Sequence, residues 1–367
     1  MAGQKTTSGS ALYLNRYAEK DAEVVRLLRD AGAIIVGKTV LHEFAYGATG
    51  DRSIHGASRN PYDTTRMSGG SSGGSAVAVA GGMVPLALGT DTAGSVRVPA
   101  ALCGIVGYKP AYDAIPSTGV YPLAASLDHV GLFTRTVDDV RSAYEVLAKT
   151  ALTSGDSQRG TIRIGWVTPS AIGPIDKEIE EQSLEMLLKL DVHPEPVTLP
   201  DGEKFFEIFS TIQASEAHSE HVDDLNRGAD VIDREVGARL RMGAEILAWK
   251  YVRASRWRHQ FCAYISSLFE TYDLLALPTV PITAPKIGQR ELTIGGVSAE
   301  TRSALLSLTS QWNFSGTPAL SVPCGLVNGL PIGLQLVSPP GREILLFNIA
   351  RQIERISSIT DSLRDGQ

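Results

Sequence analysis

Cysteine is scarce in this sequence. Cys103, Cys262 and Cys324 are its only thiols, and they stand far apart. That count excludes a disulfide framework or a cysteine-bound zinc site, and a reducing, cytoplasmic setting is expected. No apolar run approaches the ~18 residues a membrane span needs, and the opening "MAGQKTTSGS" lacks the apolar core of a signal peptide. Lysine and arginine number 34 against 40 acids, a net charge of −6, and gather in no one stretch. Binding to nucleic acid or a membrane surface through phosphate neutralisation is therefore not expected. The seven histidines show no metal-ligand spacing; His218 and His221, at i and i+3, read as a solvated helix face. Neither a metal nor a cofactor is expected.

The composition that remains, 43% apolar and 20% charged, is that of a globular protein. "AEKDAEVVRLLRDA" (18–31) places Val24, Leu27 and Leu28 on one helical face, with Gly32 where a left-handed closing residue is wanted. "AIIVG" (33–37) reads as a short buried strand. Further helices are predicted over 137–149, capped by Thr136, and over 177–190 after Asp176. Strands are predicted at 162–167, 273–277, 319–323 and 332–337. The alternation points to one α/β unit over 1–367, a sandwich around a mixed, largely buried sheet. The polar stretch 150–160 reads as a surface loop, and "ASRWRHQF" (254–261) as a solvated helical face.

The chemistry concentrates in two glycine-rich segments. "MSGGSSGGSAVAVAGG" (67–82) leads straight into "MVPLALG", and both apolar stretches are of a buried type, which argues against a flexible linker. "GGSSG" (69–73) fits the G-x-S-x-G nucleophile elbow, but a turn-rich loop precedes it instead of a strand. "GAIIVGKT" (32–39) fits the P-loop pattern, yet the residues between its glycines look like the strand itself. In "GTDTAGSVRVPAALCGIVGYKP" (89–110), small residues at 93 and 94 leave successive amides free to point into one hollow beside Ser95, as an oxyanion hole requires. Ser71 and Ser95 flank the segment 75–88, whose helix and strand could return both serines to one sheet edge. Asp91 and Arg97 read as a structural pair holding the second loop.

Together, "GGSSGGSA" (69–76) and 89–110 resemble the amidase signature family. "AGAIIVGKTVLHEFAYG" (31–47), "SRNPYD" (58–63), "SLDHVGLFTRTVDDV" (126–140), "YDLLALPTVPITAP" (272–285) and the motif spanning 314–337 agree with it. The resemblance implies a signature core at 31–140, a more variable helical region at 150–270 and a C-terminal sheet and helix part at 271–357. It implies a Ser–cis-Ser–Lys triad: Ser95 as the nucleophile that becomes acylated, and Ser71, on a cis peptide with Gly70 and followed by Ser72, as the relay. The amides of Thr92, Ala93, Gly94 and Ser95 would form the oxyanion hole, and Tyr121, Leu123, His129, Trp312 and Phe314 an apolar substrate wall. The family's lysine lies in a P-x-x-I-K-D strand ahead of the segment resembling "GQKTTSGS", where this sequence opens; Lys38 and Lys5 are poor substitutes. A chain that is by itself nearly inactive on amides is the resulting expectation. The implied activity is hydrolysis of a small carboxamide, anilide or carbamate, with a small-molecule amide as partner and a homodimer as the assembly. The alternatives are a catalytically silent homologue that binds an amide-like ligand or a partner protein, an amidotransferase component of the A type, and a P-loop nucleotide hydrolase.

Overall fold

The computed structural model describes residues 1–152, 162–200 and 202–357, with Glu203 described by its backbone alone. Its ten strands are β1 (Leu86–Asp91), β2 (Val106–Lys109), β3 (His129–Thr134), β4 (Ile164–Val167), β5 (Glu195–Val197), β6 (Leu274–Pro278), β7 (Glu291–Ile294), β8 (Val297–Glu300), β9 (Ala319–Val327) and β10 (Leu330–Val337). Its α-helices are α1 (Glu23–Asp30), α2 (Gly73–Ala80), α3 (Arg97–Cys103), α4 (Val137–Leu147), α5 (Lys177–Leu188), α6 (Gly202–Gly228), α7 (Arg234–Met242), α8 (Ala248–Thr271), α9 (Thr301–Leu306), α10 (Ser310–Ser315) and α11 (Glu343–Ile356).

Eight strands form one mixed sheet in the order β1-β3-β2-β9-β10-β6-β4-β5, and β7 and β8 form a separate hairpin. Pairing is antiparallel from β1 to β6 and parallel from β6 through β4 to β5. Successive side chains of a strand face opposite sides, and β6 shows what that does here. Leu274 and Ala276 join the core under α1, α4, α5 and α11, whereas Leu275 and Leu277 join the one under α3, α6, α8 and α10. Strands buried on both faces need unalternating apolar runs, which is why "DLLAL" and "IGLQLV" were legible. The helix starts follow their caps: Thr136 accepts from the Asp139 amide and Asp176 from the Glu178 amide. Gly32 closes the first helical segment at φ +88°. The predicted loop at 150–160 falls mostly outside the described residues.

The prediction for 33–37 fails. Ile34 and Val36 are 89% and 75% exposed, and 33–37 forms no strand. Among the described residues, its backbone is tied by Ala33 N–H to Leu28 O, and the next backbone bond downstream is Gly74 N–H to Val40 O. Without a neighbouring ladder among the described residues, only Ile35 packs against the core, and Ile34 and Val36 are left in solvent. The stretch "MVPLALG" is also less buried than its composition suggests. Met83 is exposed and β1 half-buried, because β1 is the edge strand of the sheet.

Candidate active site

Two loops at this sheet edge are brought together by the units that follow them. Ser71 and Ser72 immediately precede α2, and β1 then runs back to Asp91 and the loop Thr92–Val96 ahead of α3. The Ser72 amide donates to the Ser95 carbonyl at 3.3 Å. The Ser72 hydroxyl meets the backbone N and O of Thr90 at 3.2 and 3.3 Å, locking α2 onto β1. Gly69 lies against Pro99 and Leu102 of α3, and a Cβ at Gly70 would stand 2.5 Å from the Gly50 amide nitrogen. Only glycine admits that approach. The Gly70–Ser71 peptide is cis.

Ser95 lines a solvent-open hollow of about 220 Å³, bounded by the 45–48 segment, Thr92, Ala93, Leu123, Gln213, Arg302 and Leu306. Among the described residues, the amides of Thr92, Ala93, Gly94 and Ser95 donate to no protein acceptor. They are held open from behind. Thr309 Oγ1 donates to Ala93 O at 2.6 Å, and Gly94, at φ +137°, would drive a Cβ to 2.2 Å from that same Thr309 oxygen. Beneath the loop, Asp91 and Arg97 are fully buried and paired at 2.8 Å. Arg97 also donates to Thr309 O, Gln335 Oε1 and Asn313 Oδ1, while Asp91 Oδ2 accepts the Val96 and Arg97 amides. Burial alone would raise the Asp91 carboxyl, but the charge and hydrogen bonds of Arg97 overcome it and hold Asp91 well below the usual carboxylate range. The pair is structural, as its sequence suggests.

Ser71 is fully buried, its carbonyl accepts the His42 amide at 2.9 Å, and its Oγ has no hydrogen-bond partner among the described residues. The lysines do not serve it. Lys38 Nζ donates to Lys5 O and Thr6 Oγ1, and Lys5 sits over the Tyr17 ring. Lys109, buried at the end of β2, is committed to the carbonyls of Pro110 and Thr317. His42 is buried with both ring nitrogens unpartnered among the described residues, and burial lowers its pKa to about 3, keeping it neutral.

Of the residues predicted for the substrate wall, Leu123 lines the hollow and the other four do not. Trp312 and Phe314 are fully buried on α10. Trp312 donates to Leu308 O, and Phe314 packs among Phe205, Phe209, Trp257 and Phe261. Their apolar character suits the core, and the core took them. His129 is tied to Leu127 O and lines a separate small hollow with Tyr112 and Asp128. The Tyr121 hydroxyl donates to Asp224 on α6 at 2.6 Å. His221 also bonds Asp224 and is buried against Phe44 and Tyr121, so the solvated face predicted at 218 and 221 is corrected there. Arg258 likewise turns inward, to Ser126 and Phe314 O.

Two features of the hollow escaped the sequence reading. Phe44 and Ala45 take left-handed backbone, φ +53° and +58°, at the start of its wall, a conformation non-glycine residues rarely adopt. The Tyr46 ring carries a guanidinium within 6 Å on two counts, Arg239 at 5.4 Å and Arg302 at 5.6 Å. Neither makes an ion pair among the described residues; Arg239 donates to Tyr46 O and Arg302 to Gln213. Burial and the Arg302 charge lower the Arg239 pKa to about 10. No single motif signals these arginines, since they lie on α7 and α9, far from the serines in sequence.

Among the described residues, no helix is long and apolar enough to cross a membrane. Comparison with known proteins agrees with the architecture. The family model described as Amidase matches residues 1–347. The GatA-type component of glutamyl-tRNA(Gln) amidotransferase from Symbiobacterium thermophilum is 35% identical over 97% of this chain and 80% of its own length. The AtzE component of 1-carboxybiuret hydrolase from Pseudomonas sp. strain ADP is 35% identical over 96% of this chain and 80% of its own. A crystal structure of an amidase superposes with a TM-score of 0.90 at 32% identity, covering 97% of this chain and 82% of that one. The chain belongs to the amidase signature family.

Proposed function

We propose that this chain is a serine amidohydrolase acting on a small carboxamide that carries a negative charge. One observation supports the reading: Ser95 lines one hollow with Thr92 and Ala93, the Thr92–Ser95 amides donate to no protein acceptor among the described residues, and Ser71 precedes Ser72, whose amide bonds the Ser95 carbonyl. Ser95 Oγ adds to the amide carbon as its proton passes to Ser71, whose own hydroxyl proton moves on to the acceptor that acts there and later returns by the same route. The carbonyl electron pair moves onto oxygen, where the Thr92–Ser95 amides stabilise it. Collapse expels the amine, protonated through Ser71, and water then releases the acid from the acyl-serine. The buried, unpartnered Ser71 Oγ is where a proton acceptor has to act, and Lys38 and Lys109 are engaged elsewhere.

The charge on the substrate follows from Arg239 and Arg302. Arg302 lines the hollow and Arg239 shares its Tyr46 ring, and neither makes an ion pair among the described residues, which favours an anion; a carboxylate suits their planar donors. The test compares release of ammonia from glutamine with release from its methyl ester. Faster release from the carboxylate, lost in Arg302→Ala, supports the substrate class, and equal rates contradict it. The likeness to the amidotransferase component favours a second reading, in which the ammonia is passed to a partner; release that appears only when a partner protein is added would establish it.

A further inference from the structure

Asp128 is a buried carboxylate outside the machinery described so far. It stands at the turn ahead of β3, lines the small hollow shared with Tyr112 and His129, and does not border the Ser95 hollow. Its two oxygens work in different directions. Oδ1 accepts the Thr92 hydroxyl at 2.5 Å, and Oδ2 accepts the amides of Leu123 and Ala124 at 2.8 and 3.1 Å. The amides of Leu127 and Asp128 close back onto Ala124 O, which closes the 124–128 turn on itself. Thr92 and Leu123 both border the Ser95 hollow. The carboxylate therefore bridges two of its walls from outside.

We propose that Asp128 is a positioning residue: by joining Thr92 to Leu123 and Ala124 it fixes the first amide of the oxyanion cradle relative to the facing wall. The choice of an acid supports this. No cation pairs with Asp128 among the described residues, and the nearby charges, Glu216 on α6 and Arg258 on α8, are both engaged with Ser126. An unpaired buried carboxylate is costly. An asparagine would be cheaper, but it offers one acceptor oxygen where donors arrive at two. Asp128 satisfies all three donors, and those donors lie on the two walls. A structural anchor alone would leave the reactivity of folded Ser95 unchanged, whereas a positioning residue would not, because small misplacement of reacting groups costs rate steeply.

The inference rests on the nucleophilic role proposed for Ser95, and the test separates the two. A fluorophosphonate reacts with an activated serine, whose Oγ displaces fluoride through a pentacoordinate phosphorus and leaves a tetrahedral phosphonate ester whose oxygen occupies the same cradle. Its rate of addition is read by intact mass and peptide mapping, and the folded fraction by thermal melting. The account expects Thr92→Val and Asp128→Asn to slow labelling of Ser95 about tenfold or more per folded molecule. Thr92→Ser should keep the rate within about twofold, and the double variant should be no slower than the slower single one. Equal labelling rates for wild type and Thr92→Val overturn the inference, whatever the melting temperatures. Should Asp128→Asn fail to fold, the near-isosteric Thr92→Val carries the test alone. A wild-type Ser95 that is never labelled instead removes the proposed function, and this inference with it.

Discussion

Replacing Arg97 by methionine removes the cation from the centre of the site's scaffold. Arg97 Nε and Nη2 hold the two Asp91 oxygens at 3.0 and 2.8 Å, and the remaining donors serve Asn313, Gln335 and Thr309 O. All of this is buried, so the variant leaves an uncompensated carboxylate inside the protein. Breaking a buried pair from one side costs ~3–5 kcal/mol. With an unfolding entropy of about 2.1 cal/mol/K per residue, 367 residues give about 0.8 kcal/mol/K, so ~4 kcal/mol lowers the melting temperature by about 5 °C. The companion variant Asp91→Asn/Arg97→Met removes both charges and should recover part of that loss. Calorimetry at one scan rate, on wild type, the single and the double variant, decides the matter. A single variant melting within about 1 °C of wild type, or a double one melting lower than the single, refutes the view that the pair is a coupled ion pair at the loop's base.

Gly94→Ala should cost ~1–3 kcal/mol and slow Ser95 labelling, because its Cβ meets Thr309 Oγ1 at 2.2 Å; unchanged melting and labelling would contradict the loop geometry. Lys38→Met should leave the labelling rate within about twofold, since Nζ is tied to Lys5 O and Thr6, and loss of labelling would make Lys38 the base. Stability should fall on acidification below about pH 6.5. Burial lowers the pKa values of His42 (to about 3), His129 and His221, so the folded chain binds fewer protons than the unfolded one in that window. Asp128 opposes this: burial raises it to about 6, and its contribution is present below the unfolded value near 4 and lost as pH rises through 6. Denaturant melts across pH 4–7 read the balance, and stability that rises steadily toward pH 4 would contradict the neutral histidines.

The fold was legible wherever local chemistry decides it. Caps at Thr136 and Asp176 and the apolar runs of β6 and β10 name their elements without tertiary help. It was illegible where a neighbour decides. "AIIVG" has the composition of a buried strand, yet it pairs with none and lies exposed. Trp312 and Phe314 are apolar for the core, and an apolar residue near a catalytic motif looks the same whichever side it faces. The tight turns that carry Ser71 and Ser95 are visible in sequence because close approach of backbone at Gly70 and Gly94 demands glycine. Arg239, Arg302 and Gln213 could not, since long-range packing of α6, α7 and α9 sets them around Tyr46. Asp128 was in plain view in "SLDHV", but its two-sided bonding is a tertiary property.

The most direct test of the account is where a fluorophosphonate adduct forms on the folded wild-type chain. Peptide mapping should place it on Ser95, absent in Ser95→Ala and formed more slowly in Ser71→Ala. An adduct on another serine, or none on a chain that still melts cooperatively, would contradict Ser95 as the nucleophile.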